Sequence, residues 1–521
     1  MMPFAGRCLA ALLTGCLYTV CFPNFDLGFL AWIALIPLLL ATRGRSLPSA
    51  FFLSGLAGIS AMMGVFYWIN AVRGFSLLYF VLLGLYLAPY FAVFGALNNF
   101  LARKSPSVPA VILTPALWVS MEYLRAHAGF LSLPWCLMGH SQYRYPGVLQ
   151  VLSVTGVYGL SFLVVMVNTS ICELVPFAKK NSRTGRTRPM LYVTILLPAA
   201  FLGASIGYSY AVTRDIHDVE RFPVTVIQPN IPQDIKWDPE YRETFFRKLL
   251  GLTDNALTEA HSPLVVWPEA AIQEYLLESP MVLSRTLELL RRHNVSLVVG
   301  TAHRPKVAAR PELIVSSRNS AILLSGKGTL AVYDKVHLLP FAEYVPLKGV
   351  VPWPANMVSR ASNFTPGKKY STFELDGKVF SPPVCWETVF PEEFGRFVDR
   401  GARFLVNITN EAWFGDTAAP RQFLMMAVCR AVEHRVSIVR CANTGISCFI
   451  SPSGEVYGKV HRNGRDLFVE GFLTMDVAVT REKTIYTRFG EWFALSCLTL
   501  VIVSLVVALE RTFDGETHAD G

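Results

Sequence analysis

The apolar residues of this chain come in blocks, and the blocks limit what it can fold into. They fill residues 4 to 212, thin to ordinary levels from about 220 to 485, and return at 491 to 510. That pattern reads as a helical bundle, a water-soluble insert and a final anchor. Crossing roughly 30 Å of hydrocarbon takes about 20 residues of helix. Seven stretches before the insert qualify, near 5–22, 27–42, 50–71, 76–101, 108–125, 150–176 and 190–212, and an eighth runs from Trp492 to Leu509. The first two are short and separated only by Pro23-Asn24-Phe25-Asp26. A cleaved signal peptide is the rival reading of residues 1–22, but Cys21-Phe22-Pro23-Asn24-Phe25 lacks a small-residue cleavage pattern. Charged residues at 16% and a mean hydropathy of +0.39 agree with a membrane protein.

Lys and Arg in short loops are retained on the cytoplasmic side. Arg43, Arg45, Arg103, Lys104, Lys179, Lys180, Arg183, Arg186 and Arg188 fall in loops of one side, against Arg73, Arg125 and Arg144 on the other. This asymmetry places both termini in the cytoplasm and carries residues 213–490 to the outer face. The formal charge of +9 is then a topology signal, with anionic headgroups as a further contact, and calls for no nucleic acid. Few charges lie within the spans; Glu122 with Arg125 is the main exception and reads as a structural pair.

After a polar hinge at 213–222, the insert alternates β-rich runs with helical stretches. Strands are predicted at Val224–Gln228, Leu264–Trp267, Val295–Gly300, Ser320–Leu324, Leu330–Asp334, Val379–Cys385, Phe404–Thr409, Val436–Cys441, Ile446–Ser451 and Phe468–Val477. Helices are predicted at Tyr241–Ala260, Met281–His293, Pro391–Arg400 and Arg421–His434, and Ser451-Pro452-Ser453-Gly454 reads as a hairpin turn. Such alternation argues for α/β layers.

Three strand ends carry unusual chemistry. Val265-Val266-Trp267-Pro268-Glu269 stops at a proline and presents a carboxylate; Tyr333-Asp334-Lys335 closes a strand with an ammonium; Val384-Cys385-Trp386-Glu387 delivers a thiol into a turn ahead of Pro391. Backbone N–H groups and a helix start near the thiol would favour its thiolate. The ten cysteines follow no metal spacing, so no metal or cofactor is indicated, though an oxidising compartment would permit a Cys441–Cys448 disulfide.

The ordered motifs Trp267-Pro268-Glu269, Tyr333-Asp334-Lys335-Val336-His337 through Glu343-Tyr344-Val345-Pro346, and Val384-Cys385-Trp386-Glu387 resemble the nitrilase superfamily with its Glu-Lys-Cys triad. Framed by seven spans before and one after, they resemble its membrane-bound branch, the apolipoprotein N-acyltransferase family, over essentially the whole chain. The resemblance implies an eight-span bundle with an αββα nitrilase-like domain inserted between spans seven and eight. It further implies a bacterial inner membrane, a periplasmic catalytic domain, a phospholipid acyl donor, a diacylglyceryl-modified apolipoprotein acceptor and a monomeric enzyme. The chain divides accordingly into 1–212, 213–490 and 491–521.

A free thiol is mostly protonated at neutral pH, so Cys385 needs a base, for which Glu269 is the candidate. Lys335, as an ammonium, suits the oxyanion, helped by the backbone N–H of Trp386 or its neighbour. The resemblance marks Glu343 and Glu387 as functional, Glu343 beside Lys335 and Glu387 as a structural or substrate-side contact. Asp334 reads as a turn residue and His337 as a hydrogen-bonded core or rim histidine. Leu338 to Pro366, apolar and Pro-rich with Phe341 and Trp353, reads as an interfacial lid, with a loop packed on the membrane bundle as the alternative. The family loops imply that Trp237 contacts lipid, Trp413 walls the pocket and Asn410 is a hydrogen-bond partner there. One departure is the run Gln422 to Glu433, where Phe423 and Val428 replace the family's His and first Arg but Arg430 and Glu433 remain. The rival readings are a tethered hydrolase of amides or nitriles with water as acceptor, and a transporter or structural membrane protein.

Overall fold

The computed structural model describes residues 2–72, 74–104, 108–178, 188–213, 219–305, 317–358 and 362–517. Arg73, Lys179, Lys180, Arg183 and Arg186 of the charge argument, and Arg214, Asp215, His217 and Asp218 of the hinge, lie outside the described residues. The chain divides into two compact units: Met1–Asp215 with Thr417–Met425 and Phe489–Gly521, and Ile216–Asp416 with Met426–Arg488.

The first unit is helical. Among the described residues, five of its helices are long and apolar enough to cross a membrane: Leu47–Val65, Leu77–Lys104, Leu152–Val175, Tyr192–Val212 and Trp492–Thr512. Phe4–Val20 and Ala110–Ala126 are shorter, at 17 residues each. The stretch near 27–42 is no continuous helix: a 3-10 turn, Gly28–Trp32, is followed by Ile36–Thr42, only seven residues long. A proline in the first turn of that second piece starts a helix but cannot extend one backwards. Glu122 accepts from the Trp118 indole at 2.9 Å and the Met138 amide at 2.7 Å, while Arg125 donates to the Trp135 carbonyl at 3.0 Å. Each is thus hydrogen-bonded within this unit, although Glu122 Oε2 and Arg125 Nε have no hydrogen-bond partner among the described residues. Gln422 belongs to this unit: its Oε1 accepts from the Trp68 and Trp135 indoles at 3.0 and 2.7 Å. Phe423, where the family has His, lies edge-on to Trp135 at 4.8 Å.

The second unit is built on two six-stranded mixed sheets. In chain order the strands are β1 (Arg221–Gln228), β2 (Leu264–Val266), β3 (Ser296–His303), β4 (Arg318–Ser325), β5 (Gly328–Asp334), β6 (Phe373–Leu375), β7 (Lys378–Ser381), β8 (Phe404–Thr409), β9 (Ser437–Ala442), β10 (Cys448–Ile450), β11 (Val456–Lys459) and β12 (Gly471–Ala478). One sheet has the order β12-β1-β2-β3-β4-β5, the other β11-β10-β9-β8-β7-β6. Strands β1, β2 and β3 run parallel, as do β7, β8 and β9. Parallel neighbours need crossovers, supplied by the helices Arg242–Glu259, Pro280–His293, Pro391–Asp399 and Ala419–His434. Phe246, Leu249 and Leu290 from the first two of these helices pack with Ile227, Val265, Leu297 and Ile322 in one buried cluster. Burying such a side chain contributes about 2 kcal/mol each, which makes this cluster the rigid base of the first sheet.

The sheets meet face to face, and Cys441 marks the seam. Its thiol, fully buried on β9, donates to the carbonyls of Ile227 on β1 and Val266 on β2, each at 3.3 Å. The Cys441–Cys448 disulfide does not form, and both thiols are free. Cys448 stands opposite Arg440 in the register, so Cys441, one residue on, points to the other face. The hairpin turn is present, with Gly454 at φ 88° and its amide donating to Ser451 at 2.9 Å.

Candidate active site

Glu269 stands three residues past β2, on a turn pinned to β3 at both ends. The Trp267 amide donates to the Val298 carbonyl at 2.8 Å and the Ala271 amide to the Gly300 carbonyl at 2.9 Å. Trp267 is fully buried, its indole donating to the Thr253 hydroxyl at 2.9 Å. Ala270 takes φ 50°, a left-handed conformation that a side chain adopts only under constraint. Lys335 follows β5 directly; its amide donates to the Asn319 carbonyl at 2.9 Å and its carbonyl accepts from Gly367 at 2.7 Å. Cys385, at φ 48°, opens the 3-10 turn Cys385–Val389 just beyond β7. Two of the three strand ends therefore hold left-handed residues at or beside the reactive group.

These side chains converge. Lys335 Nζ lies 2.8 Å from Glu343 Oε2 and 3.8 Å from Glu269 Oε1. Asn319 Nδ2 bridges the two carboxylates, donating to Glu269 Oε1 and Glu343 Oε1 at 2.7 Å each. The remaining oxygen, Glu269 Oε2, accepts from the Asn410 amide at 2.9 Å, and Glu343 Oε2 accepts from the Leu339 amide at 2.7 Å. The charges of Glu269 and Lys335 both act on the Cys385 sulfur.

The electrostatics set the resting state. Burial works against the charge on Lys335, but Glu343 and then Glu269 outweigh it and hold the ammonium above its ordinary range. At Cys385, burial and then Glu269 push the thiol up to about 12, against Lys335 and the Thr409 hydroxyl. The thiol is thus the resting form, and the pull towards thiolate expected of the nearby helix start does not prevail. The helix Pro391–Asp399 is separated from Cys385 by the 3-10 turn, and desolvation outweighs what its N-terminus could offer. A protonated thiol beside a fixed carboxylate and a fixed ammonium is arranged to lose its proton only during attack.

A family model for the apolipoprotein N-acyltransferase N-terminal domain matches residues 14–170, and one for carbon-nitrogen hydrolases matches residues 223–486. The apolipoprotein N-acyltransferase of Geobacter metallireducens is 36% identical over 513 residues, covering 96% of this chain and 95% of that protein. The chain belongs to the apolipoprotein N-acyltransferase family. It is an acyltransferase with a carbon-nitrogen hydrolase domain. The members from Chlorobaculum tepidum and Brucella suis are 28% and 30% identical, covering 96% and 87% of this chain and the same shares of those proteins. Among solved structures, an amidase from Nesterenkonia sp. is 19% identical with a TM-score of 0.38, covering 52% of this chain and 95% of that one.

In this acyltransferase Glu387 is fully buried. Its Oε1 accepts from the Tyr333 hydroxyl at 2.6 Å and the Val336 and His337 amides at 2.9 and 3.3 Å, and its Oε2 accepts from the Val384 amide at 2.7 Å. It ties the strand end of Lys335 to that of Cys385. Burial and then Glu393 push its carboxyl up to about 7, despite those donors. Trp386 is nearly buried and lies 5.8 Å from Phe390. His337 Nδ1 sits 2.9 Å from Glu393 Oε1 with its ring stacked on Phe390. Asp334 is no simple turn residue: it pairs with Arg318, accepts from Ser320 at 2.7 Å and lies 3.3 Å from His303. Burial would raise its carboxyl, but these partners pull it to about 2.

Of the residues singled out for lipid contact, Trp237 and Trp413 are exposed, at 51% and 47%. Asn410 is buried, its amide on Glu269 and its side chain donating to Gln233 at 3.2 Å. Phe341 and Trp353 brace one another edge to face at 4.9 Å, and the Trp353 indole donates to the Pro346 carbonyl at 2.6 Å. Residues 359–361 of that segment lie outside the described residues. Asn319 escaped the sequence reading altogether. It lies one residue before the run read as a strand, and a polar residue at a strand edge carries no mark of what it bridges.

Proposed function

We propose that this enzyme N-acylates the N-terminal diacylglyceryl-cysteine of lipoproteins in two steps through a thioester on Cys385. In the first, Cys385 Sγ attacks the ester carbonyl of a phospholipid and its proton passes to Glu269. Lys335 and the Trp386 backbone N–H stabilise the oxyanion; removing one such donor costs roughly 100- to 1000-fold in rate. Collapse breaks the C–O bond, and the lysophospholipid leaves with the proton held by Glu269. In the second, the acceptor's α-amine attacks the thioester, gives its proton to Glu269, and the thiol re-forms as the amide leaves. An amide is more stable than a thioester, so this half-step runs downhill once water is excluded.

The observation that carries this reading is the fixing of Glu269 and Lys335 by Asn319, Glu343 and Asn410 beside a protonated cysteine thiol. Membership of the acyltransferase family supports the acyl group as cargo. The five long apolar helices support a membrane setting. We assign eight spans, counting the broken stretch Gly28–Thr42 as the second, with residues 213–490 inserted between spans seven and eight as the catalytic domain on the periplasmic side of a bacterial inner membrane. Glu343 positions Lys335; Trp237, Trp413, Phe341, Trp353 and Asn410 form the lipid side of the pocket.

The test incubates the purified protein with acyl-labelled phospholipid and a diacylglyceryl lipopeptide. Wild type should yield N-acylated peptide and an acyl mass adduct on Cys385, and Cys385→Ala should yield neither. Free fatty acid with no acylated peptide would make the enzyme a hydrolase, and activity retained in Cys385→Ala would remove the assigned nucleophile.

A further inference from the structure

The loop after β1 holds two buried donor atoms with no acceptor among the described residues. Lys236 is fully buried, and its Nζ has no hydrogen-bond acceptor among the described residues. It lies 5.9 Å from the centroid of the Trp237 ring, and the charge acting on it is that of Glu269. Gln233 is oriented by its oxygen, which accepts from Asn410 Nδ2 at 3.2 Å, leaving a buried Nε2 unpartnered. The same Asn410 donates its amide to Glu269, so both orphan donors belong to the shell around the base.

Buried donors are almost always paired, and an unpaired buried ammonium is the costliest exception. Burial lowers the Lys236 ammonium to about 8, with Glu269 opposing, so it still carries charge at neutral pH. Glu269 acts on Lys236 through space alone: no hydrogen bond joins them among the described residues, and the oxygens of Glu269 take Asn319 and the Asn410 amide, with Lys335 3.8 Å from one. An anion with several acceptor oxygens would satisfy both donors at once.

We propose that Lys236 Nζ and Gln233 Nε2 form an anion subsite beside the catalytic groups, which takes the phosphodiester oxygens of the acyl donor. The proposal rests on the acyl-transfer reading above and adds how the donor's head is recognised. A phosphodiester supplies negative charge to the ammonium and an acceptor oxygen to the amide N–H at once. The other candidates fit less well: the scissile carbonyl is served by Lys335, and the acceptor's amine brings donors to a place already rich in them.

The experiment compares two donors in detergent micelles with the full chain: phosphatidylglycerol, and diacylglycerol, which has the same esters and no phosphate. The readout is the ratio of their kcat/KM values for acylating a fixed lipopeptide. Wild type should favour the phosphate-bearing donor. Lys236→Met should lower that ratio by about tenfold or more, chiefly through KM for phosphatidylglycerol, as expected for a lost hydrogen bond to a charged group. Lys236→Arg should retain most of the preference. Gln233→Glu, at a partly exposed position and so open to change without disturbing the core, should lower the ratio in the same direction by placing a like charge against the phosphate. An unchanged ratio in these variants, equal losses with both donors, or a wild type indifferent to the phosphate would each overturn the subsite. Absence of acylated peptide from wild type with either donor would instead defeat the acyl-transfer reading.

Discussion

Glu387 shows how one buried carboxylate couples the site to solution conditions. It is fully buried yet accepts four hydrogen bonds, and its folded pKa of about 7 lies above the ordinary carboxylate value. The folded state therefore holds a proton that the unfolded chain has already released. This term of stability is fully present below about pH 4 and is lost as pH rises through about 7, by about 3 kcal/mol at most. Glu387→Gln should have a lower Tm at every pH, because its amide N–H₂ faces the Val384 N–H. Its Tm should also change less between pH 5 and pH 8 than that of wild type. Thermal unfolding across that range decides the matter, and parallel curves would show that Glu387 is not the titrating group. The pairing of Arg430 with Glu433, at 2.7 Å and fully buried, is the complementary case, an ion pair closed within the one helix Ala419–His434.

At the scale of elements, the site is made by strand ends and by what touches them from behind. Gly300 on β3 is where this is most exposed to test. A Cβ there would stand 2.5 Å from the Glu269 Cα and 2.6 Å from the Pro268 carbonyl oxygen, both backbone atoms that cannot swing away. Gly300→Ala should displace Glu269 and slow formation of the acyl-enzyme about 100-fold, since misplacing a reacting group by an ångström is known to cost that much. Rapid-quench measurement of the Cys385 adduct reads this directly; wild-type adduct formation would mean that the turn tolerates the shift. The strands themselves were largely legible. The ten β-rich runs and four helices of the insert correspond to observed elements, and the two strands not anticipated, β6 and β11, are the two edges of the second sheet. An edge strand of three or four residues buries only part of one face, so it carries neither the length nor the apolar run by which inner strands declare themselves.

For the whole molecule, the governing fact is the separation of apolar blocks, which sorts into a helical unit and a two-sheet unit. If the basic loops set orientation as proposed, alkaline phosphatase fused after Gly521 should be inactive in cells. The same reporter inserted in the exposed β4–β5 turn at Lys327-Gly328 should be active. The reverse pattern would invert the assigned topology. One boundary was not legible as composition: Thr417–Met425 lies in the midst of the insert yet belongs to the helical unit, with Gln422 held between Trp68 and Trp135. Nothing in a single glutamine marks that it will be read by two distant indoles.

Periodicity and hydropathy are local properties, and so most of the apolar helices, most of the strands and the three strand ends that bear a carboxylate, an ammonium and a thiol could be read from the order of residues alone. The state of those groups is not local. That Cys385 rests as a thiol, that Asn319 clamps two carboxylates and that Lys236 is buried without an acceptor among the described residues depend on desolvation and on partners up to 141 positions apart in the chain. Which groups lose their water, and which charges then face each other, is settled when distant strand ends are folded together.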